Sequence, residues 1–411
     1  MSWKLNRRAF AKTALAGLGG VASALGFAKR GQAAAGSLVD NPRLTMDDFP
    51  RIEPGRVYSP PPPTMGKQMG RVHSLNLPPL GYEMDGDVKV FRLIAQPVRV
   101  PLTHGMGLDA LHIPRGYERF KPRPSYPKSV LAWGYNGGTP GPTIEAIEGD
   151  LVRIIVRNEL PEPTSVHWHG VLLPFAQDGA AGYSPFQAHP PILPGEERAY
   201  QFQLIQHGTC MYHTGFNTMK QEGMGLAGMF VIHPRDEENP PDHDFSILLQ
   251  QYDILAGSEN PNVTSMEARF ATMNGRTAPD VEWMNVEQDQ RVRVRLGNLS
   301  LMTHPIHLHG YTFKVVGSTG VSIPPSAQYE DVTIPVAPGQ ARDIEFVAWN
   351  PGTWRFHCHI LHHIMNAMTD LPMGIAPIEG MFTHLNVKPK DPNYDPRSWD
   401  APWEAAWKQA P

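Results

Sequence analysis

Proline and glycine interrupt this chain throughout its length. The 411 residues include 42 prolines and 38 glycines, spread among short apolar runs rather than gathered in one repeat. Because proline ends helices and glycine favours turns, this pattern favours many short strands over long helices. Turns at such short intervals fit two Greek-key β-sandwiches better than a parallel α/β sheet. The sequence therefore predicts an all-β protein.

The length of the chain predicts two domains of ordinary size. Hydrophobic residues make up 41% of the sequence and charged residues 18%, and 411 residues are too many for one ordinary core. Shifts in composition predict a Pro-rich extended arm over 36–81, a first β-domain over 82–233, a linker rich in Pro, Asp and Glu over 234–244, a second β-domain over 245–387, and a surface tail over 388–411.

The N-terminus carries the features of an export signal. Arg7 and Arg8 precede a weakly apolar run over 13–27, and small residues ending at Ala35 follow it. This arrangement resembles a twin-arginine signal, so residues 1–35 are predicted to be cleaved. The run is too short and too rich in Gly and Ala for a transmembrane span. The mature protein is therefore expected in the periplasm or otherwise outside the cytoplasm, and not in a membrane.

Charge and cysteine content narrow the functional classes. The formal net charge is −4 and no long basic run occurs, which argues against nucleic acid as a partner. The two cysteines, Cys210 and Cys358, are fewer than a disulfide-stapled secreted fold normally carries. Chemistry on a small molecule is the better expectation. A buried free thiol is expected for Cys210.

The positions of the histidines give the most specific functional signal in the sequence. Nine of the 18 histidines fall into tight clusters, namely His167, His169, His213, His304, His307, His309, His357, His359 and His363. In a strand, residues two apart share a face and adjacent residues oppose each other. His357 and His359 must therefore point one way while Cys358 points the other. By the same parity, His307 and His309 share a face and His304 lies on the opposite side, with the cysteine.

Two separate ligand sets follow from this parity. A single thiolate with two imidazoles and a weakly bound thioether is the ligand set of a blue copper centre, and Cys358, His304, His363 and Met368 supply it. Zinc would favour a closed tetrahedral set of strong ligands instead. The other face collects imidazoles only, and with the first-domain histidines they form a pool too large for one metal. Several copper ions are implied.

Three motifs resemble those of the multicopper oxidases, the family that includes laccases. They are His-Trp-His-Gly, His-Pro-Ile-His-Leu-His-Gly and His-Cys-His-x3-His-x4-Met, and the resemblance covers about 151–368. It implies two cupredoxin-like Greek-key domains holding up to four copper ions per chain. By this resemblance the ligands of the mononuclear type 1 copper are His304, Cys358, His363 and Met368. The ligands of the type 2 copper are His167 and His307. One type 3 copper is bound by His169, His213 and His359, and the other is bound by His309 and His357.

One ligand position departs from the family pattern. The family usually carries a second histidine two residues after the one at His213, and here Gly215 stands there. His207 is six residues before His213, about 20 Å away on a straight strand, and His362 has the wrong parity. His189 lies in a Pro-rich loop whose position the sequence does not fix. Either another group completes this copper site or the site is altered.

The resemblance also implies a reaction. Electrons from a small reducing substrate, phenol-like or a metal ion, enter at the type 1 copper through Cys358 and reduce dioxygen at the cluster. Laccase-like proteins carry an acidic residue near Asp178 that helps protonate reduced oxygen, although Asp178-Gly179 also reads as a plain turn. Small two-domain laccases are trimers that share each cluster between neighbouring subunits, so a homotrimer is predicted, with closure within one chain as the alternative.

Two rival functions stay open at the sequence level. Copper nitrite reductases are also two-domain trimers, but they place the copper-binding cysteine directly after the first-domain histidine, where this chain has Thr214. The other rival is a non-oxidase relative, a copper-binding or electron-transfer protein with an incomplete cluster, which Gly215 keeps possible.

Overall fold

Alternating burial along the strands explains why this sequence forms sheets. The computed structural model describes residues 69–103, 129–181, 190–255, 258–265, 268, 270–364 and 380–395. In the strand Leu151–Asn158, Val152, Ile154 and Val156 are buried, whereas the residues between them are partly exposed. This two-residue period places one face of the strand on a core and leaves the other towards solvent. The all-β prediction is confirmed.

The first sandwich consists of a five-stranded and a four-stranded sheet. Its strands are β2 (Glu83–Asp85), β3 (Val88–Pro101), β4 (Ser129–Tyr135), β5 (Ile144–Ile147), β6 (Leu151–Asn158), β7 (Val166–His169), β8 (Glu197–Gln203), β9 (Gly208–Thr214) and β10 (Ala227–His233). The larger sheet has the order β2-β3-β6-β8, with β4 beside β3, and the smaller one the order β5-β10-β9-β7. Phe91, Ile154, Trp168, Tyr212 and Phe230 pack between the two sheets.

The second sandwich consists of an eight-stranded and a five-stranded sheet. Its strands are β1 (Val72–Ser74), β11 (His243–Tyr252), β12 (Phe270–Met273), β13 (Met284–Glu287), β14 (Arg291–Asn298), β15 (His304–Leu308), β16 (Phe313–Ser318), β17 (Val321–Ser322), β18 (Tyr329–Asp331), β19 (Thr333–Val336), β20 (Ala341–Val347), β21 (Gly352–Cys358) and β22 (Phe382–Lys388). The larger sheet has the order β1-β11-β14-β20-β16-β17, with β12 beside β11 and β18 beside β16, and the smaller one has the order β13-β22-β21-β15-β19. Strand β1 pairs with β11 in parallel and so ties the described end of the predicted arm to this domain.

The two sandwiches repeat one topology. The order β5-β10-β9-β7 in the first corresponds to β13-β22-β21-β15 in the second, with a parallel first pair and antiparallel pairs after it. The histidine motifs of the first domain lie on β7 and β9, and those of the second domain lie on β15 and β21. Equivalent strands of the two domains therefore carry the clustered histidines.

An apolar interface joins the sandwiches. Met211 and Met229 of the first domain pack with Leu248 and Leu299 of the second, and a further buried cluster brings β3 and β4 against β11. A polar contact also crosses this interface. Arg295 of the second domain donates a hydrogen bond to Oγ1 of Thr209 in the first domain over 2.9 Å. The larger sheet of the second domain thus covers the smaller sheet of the first and also contacts β3 and β4 of its larger sheet.

Helices are few and short among the described residues. Two α-helices span Thr218–Gly223 and Leu361–Ile364, and two single turns of 3₁₀ helix span Phe175–Gln177 and Pro325–Ala327. Within the described part of the chain, no helix has the length and apolar character that a membrane crossing needs.

Candidate metal centres

A buried group of one thiol and two imidazoles lies at the end of the second sandwich. The Sγ atom of Cys358 is 3.5 Å from Nδ1 of His363 and 3.8 Å from Nδ1 of His304, and the two Nδ1 atoms are 3.1 Å apart. All three residues are buried, and their ligand atoms lie within 4.8 Å of one another. The strand β15 supplies His304, β21 supplies Cys358, and the helix that follows β21 supplies His363.

The chemistry of these three groups suits copper. Burial and the neighbouring imidazole lower the pKa of His304 to about 3, and burial and His362 lower that of His363 to about 4, so both rings are neutral ligands at pH 7. Burial raises the pKa of the Cys358 thiol to about 11, so a thiolate forms there at neutral pH only when a cation compensates its charge. One thiolate and two neutral imidazoles in a buried place fit a mononuclear copper.

Two side chains that the sequence did not single out hold the outer nitrogens of these imidazoles. Oγ of Ser300 lies 2.7 Å from Nε2 of His304, and Nε2 of Gln251 lies 3.4 Å from Nε2 of His363. Such contacts orient a ligating ring and fix which nitrogen faces the metal. Gln251 belongs to none of the sequence motifs, and only the fold places it, on β11, beside His363.

A second group of imidazoles lies in the first domain. His167 and His169 share one face of β7, and His213 is the register partner of His167 on β9. Nδ1 of His169 is 3.2 Å from Nε2 of His213, and the three rings offer ligand atoms within 4.8 Å of one another. Burial and the neighbouring imidazoles lower the pKa of His213 to about 3, so this ring is a neutral ligand at pH 7.

Four further imidazoles share the outer face of the smaller sheet in the second domain. They are His307, His309, His357 and His359. Nε2 of His309 and Nε2 of His357 are 3.0 Å apart. Between these histidines along the strands, Ile306, Leu308, Phe356 and Cys358 point into the core. The alternation places the four imidazoles on one face of the sheet and the thiol on the other, as the strand parity predicts.

The two imidazole sets lie on opposite sides of the second sandwich within one chain. His213 shares its face of β9 with Met211, which packs on Leu248 of the larger sheet. Ile247 and Leu249, the neighbours of Leu248, point into the second core, so Leu248 points out of the sandwich. The four second-domain imidazoles point away from the core, on the outer face of the smaller sheet. Packed sheets are about 10 Å apart, so the second sandwich separates the two sets.

Backbone fills the position where the family pattern has a further histidine. A Cβ atom added to Gly215 would collide with the carbonyl oxygen of Gly179, and it would lie 2.9 Å from Oγ of Ser165. Gly215 also donates its amide to the carbonyl oxygen of Ser165 over 3.0 Å. No side chain fits at Gly215 unless the 178–181 loop moves.

Asp178 and Glu222 lie behind the first-domain imidazoles. The carbonyl oxygen of Asp178 is 3.0 Å from Nδ1 of His167, and one carboxylate oxygen is 3.5 Å from the same nitrogen. An Oε atom of Glu222 is 3.7 Å from Nδ1 of His213. Both carboxylates therefore face the Nδ1 side of a ring. Glu222 follows His213 by nine residues, a spacing that carried no signal in the sequence.

The remaining candidates lie apart from these groups or outside the described residues. His207 pairs with Glu148, 2.9 Å away. Cys210 is a buried free thiol, and burial raises its pKa to about 12. Met368, the predicted thioether ligand, and His189 lie outside the described residues.

Comparison with known families decides the class of this protein. Residues 119–237 match one multicopper oxidase family profile, and residues 250–370 match a second. The chain belongs to the multicopper oxidase family. Copper is therefore the metal that its family implies, and the buried group of His304, Cys358 and His363 lies inside the second matched region.

Curated relatives of this multicopper oxidase include plant laccases. Laccase-20 of Oryza sativa subsp. japonica is 31% identical over 247 residues, which cover 55% of this chain and 40% of the relative. The probable nitrite reductase-hydroxylamine oxidoreductase fusion protein of Kuenenia stuttgartiensis is 30% identical over 265 residues, which cover 60% of this chain and 29% of the relative. The chain thus spans less than half the length of either relative.

Solved structures share the fold of this multicopper oxidase. The multicopper oxidase mgLAC aligns with a TM-score of 0.60 at 24% identity, over 78% of this chain and 95% of that one. A copper nitrite reductase from Nitrosomonas europaea aligns with a TM-score of 0.56 at 18% identity, over 76% of this chain and 96% of that one. At these identities the likeness concerns the fold, and the prediction of cupredoxin-like β-sandwiches is confirmed.

Proposed function

We propose that this protein is a copper-dependent oxidase that takes single electrons from a small reducing substrate and transfers them to dioxygen. The observation that carries the proposal is the buried group of Cys358, His304 and His363, whose Nδ1 and Sγ atoms converge within 4.8 Å. Copper bound by these three residues would supply a one-electron redox couple, and copper bound by the other imidazoles would supply the site for dioxygen reduction. Met368 is the proposed fourth ligand of the mononuclear site.

The chain's own residues prepare both sites for this chemistry. Burial keeps His304, His363 and His213 neutral at pH 7, which is the ligand form of imidazole. Cys358 connects the two sites, because its flanking residues His357 and His359 point to the opposite face of the same strand. One peptide unit therefore connects the thiol of Cys358 to the imidazole-bearing residue on either side, which gives electrons a short covalent path between the two proposed sites.

We propose that the active form is a homotrimer in which each cluster lies between two subunits. Within one chain, the second sandwich separates His167, His169 and His213 from the four second-domain imidazoles. A head-to-tail contact between copies would bring the first-domain set of one subunit to the second-domain set of the next. The proposed type 2 and type 3 ligand assignments then apply across this contact.

Asp178 is proposed to serve the first-domain histidines of this cluster. It contacts His167 through both its carbonyl and its carboxylate oxygens. A carboxylate that remains 37% exposed at this point can exchange protons with solvent and supply them to reduced oxygen. We also propose export by the twin-arginine signal, which is supported by Arg7 and Arg8, the weakly apolar run over 13–27 and the small residues that end at Ala35.

The first experiment is the copper content per chain of copper-loaded protein, measured by elemental mass analysis. Near four copper ions would mean that another group replaces the imidazole missing at Gly215, and near three would mean that one type 3 position is empty. Oxygen consumption with a phenolic or metal donor then tests the oxidase directly. One copper ion per chain without oxygen consumption would overturn the proposal in favour of electron transfer.

Nitrite reduction is the second candidate, because relatives with that printed function share sequence or fold with this chain. Thr214 stands directly after His213, where copper nitrite reductases are expected to carry their copper-binding cysteine, and here the candidate ligand Cys358 lies in the second domain instead. Nitrite consumption under anaerobic conditions separates the two candidates.

A further inference from the structure

A cavity of about 600 Å³ lies where the chain passes from the first domain to the second. His233, the last residue of β10, forms part of its wall, and Gly70 and Arg71, which precede β1, form another part. Most of the remaining wall comes from the linker segment, which we define as 234–242 between β10 and β11. None of the described residues that line this cavity belongs to the candidate copper ligands.

One imidazole of the cavity wall is buried and keeps a nitrogen available. His233 is only 1% exposed, and its Nε2 atom lies 2.9 Å from Oε1 of Glu145. Its Nδ1 atom has no hydrogen-bond partner among the described residues. A carboxylate accepts the proton of Nε2, which leaves the lone pair on Nδ1, and the two nitrogens of a ring point in widely different directions. The Nδ1 lone pair therefore points away from Glu145.

The contact between Glu145 and His233 is the kind that orients a metal-binding histidine. Such histidines usually donate their second ring N–H to a carboxylate or a carbonyl group, which fixes the tautomer and the ring orientation. Glu145 is itself buried on β5, and its Oε1 atom also accepts the backbone amide of Arg71 over 2.9 Å. Both groups of the pair are therefore held in place before any ligand binds.

Carboxylates outnumber positive charges on the wall of this cavity. Five acidic residues line it, and they are Asp236, Glu237, Glu238, Asp242 and Asp244. Glu237 and Asp244 already pair with arginines of β14. The other three are exposed and form no ion pair among the described residues, so they can turn towards a cation. They still exceed the two guanidinium groups of the wall, which belong to Arg71 and Arg235.

We propose that this cavity binds one divalent transition-metal ion, Zn(II), through Nδ1 of His233 and carboxylates of the linker segment. An imidazole nitrogen together with carboxylate oxygens suits Zn(II), whereas Ca(II) and Mg(II) take oxygen ligands. The ion joins the end of the first domain to the linker segment and so stabilises the junction of the two domains. This site is separate from the proposed copper sites and does not rest on the oxidase function.

The test measures zinc binding to the copper-loaded, full-length protein. Copper is supplied as Cu(I), which favours soft ligands and therefore leaves a carboxylate-rich site free. After desalting, the protein is dialysed anaerobically against Zn(II), and zinc per chain is measured by elemental mass analysis. We expect one zinc ion per chain that excess Ca(II) does not displace. X-ray absorption at the zinc edge should show an imidazole ligand, and Zn(II) should raise Tm by a few degrees.

Two variants separate the imidazole from the carboxylates. His233→Gln keeps an amide donor for Glu145 and removes the imidazole nitrogen, so zinc affinity should fall at least about tenfold. The double variant Asp236→Asn with Glu238→Gln changes only exposed side chains, so the fold should be kept while zinc affinity falls.

The matched control removes two exposed carboxylates far from the cavity wall. Glu159→Gln with Glu197→Gln has the same change in charge, because both residues pair with Arg157 near the surface. Zinc affinity should be unchanged in this control. An equal fall in the control and in the linker variant would show a general effect of net charge and would overturn the site.

The remaining outcomes also decide the proposal. Absence of zinc binding, or equal affinity in wild type and His233→Gln, would overturn it, because any zinc would then be bound without this imidazole. Displacement of zinc by excess Ca(II) would overturn it as well, since an adventitious carboxylate cluster behaves in that way. If His233→Gln does not fold, the linker variant and the zinc absorption spectrum decide, and a spectrum without an imidazole ligand would refute the site.

Discussion

At the scale of single residues, Gly215 leaves the proposed copper cluster one imidazole short of the family pattern. The position also cannot accept another side chain, because the carbonyl group of Gly179 occupies the space that a Cβ atom would need. The amide of Ala181 donates to the carbonyl oxygen of Gly215 over 3.1 Å, which holds the loop in that place. The observed conformation of the 178–181 loop therefore requires a glycine at position 215.

We expect Gly215→His to destabilise the protein without adding a copper ligand. Forcing atoms into filled space typically costs about 1–3 kcal/mol, so Tm should fall by several degrees. Thermal unfolding and copper content measure the two effects. Gly223→Ala is the control, because its Cβ atom would meet only Val263, at 3.3 Å from the side chain. A stable Gly215→His variant with one more copper ion per chain would contradict this expectation.

The two thiols should respond differently to the same change. Cys358→Ser should remove about one copper ion per chain and abolish oxygen consumption, because a hydroxyl is a poor copper ligand beside His304 and His363. Cys210→Ser is the matched control, since Cys210 is equally buried but belongs to neither ligand group. Elemental analysis and oxygen uptake distinguish the variants, and equal copper loss in both would refute the assignment.

Buried imidazoles should make the copper-free protein sensitive to acid. The pKa values of His304 and His213 are lowered from 6.5 to about 3 in the folded chain, mainly by burial. Between these pH values the unfolded chain binds protons that the folded chain excludes, so the free energy of unfolding falls as the pH drops from 6.5 towards 3. We expect Tm to fall by roughly 5 °C between pH 7 and pH 5, and by less in His304→Gln. A flat profile over this range would argue against the buried neutral rings.

At the scale of elements, one buried arginine links strands of both domains. Arg295 on β14 contacts both carboxylate oxygens of Asp244 at 2.8 Å, lies 3.4 Å from Asp343 on β20, and donates to Thr209 on β9. Burial raises the pKa of Asp343, and Arg295 opposes this rise. The arginine thus compensates two buried carboxylates at the contact between the sandwiches.

We expect Arg295→Met to be strongly destabilising, because it leaves Asp244 and Asp343 buried without their cation. Breaking a buried pair in this way costs about 3–5 kcal/mol. Arg153→Met is the comparison, because Arg153 pairs with Asp85 near the surface, where a pair contributes about 0–1 kcal/mol. Chemical denaturation of both variants measures the difference. Similar losses in the two variants would show that the buried network does not stabilise the interface.

At the scale of the whole molecule, the proposed trimer can be tested by complementation. One variant, His167→Ala with His213→Ala, lacks the first-domain set, and another, His307→Ala with His309→Ala, lacks part of the second-domain set. Each variant alone should be inactive. In randomly mixed head-to-tail trimers about one quarter of the contacts combine two intact sets, so co-expression should restore about one quarter of the activity. If each cluster closed within one chain, the mixture would stay inactive.

The fold class and the candidate ligands follow from the amino-acid sequence alone. The spacing of proline and glycine predicted strands, and the two-residue period of β-structure separated Cys358 from His357 and His359. These features are local, because a strand's alternation depends only on neighbouring residues. The family motifs likewise lie within short segments.

Tertiary packing fixes which distant residues surround the candidate ligands. Ser300, Gln251 and Glu222 belong to no motif, and they reach His304, His363 and His213 because strands and a helix from separate parts of the chain pack together. The loop that fills the space beside Gly215 is likewise a contact between distant segments. Contacts of this kind depend on how whole sheets stack and therefore leave no periodic trace in the sequence.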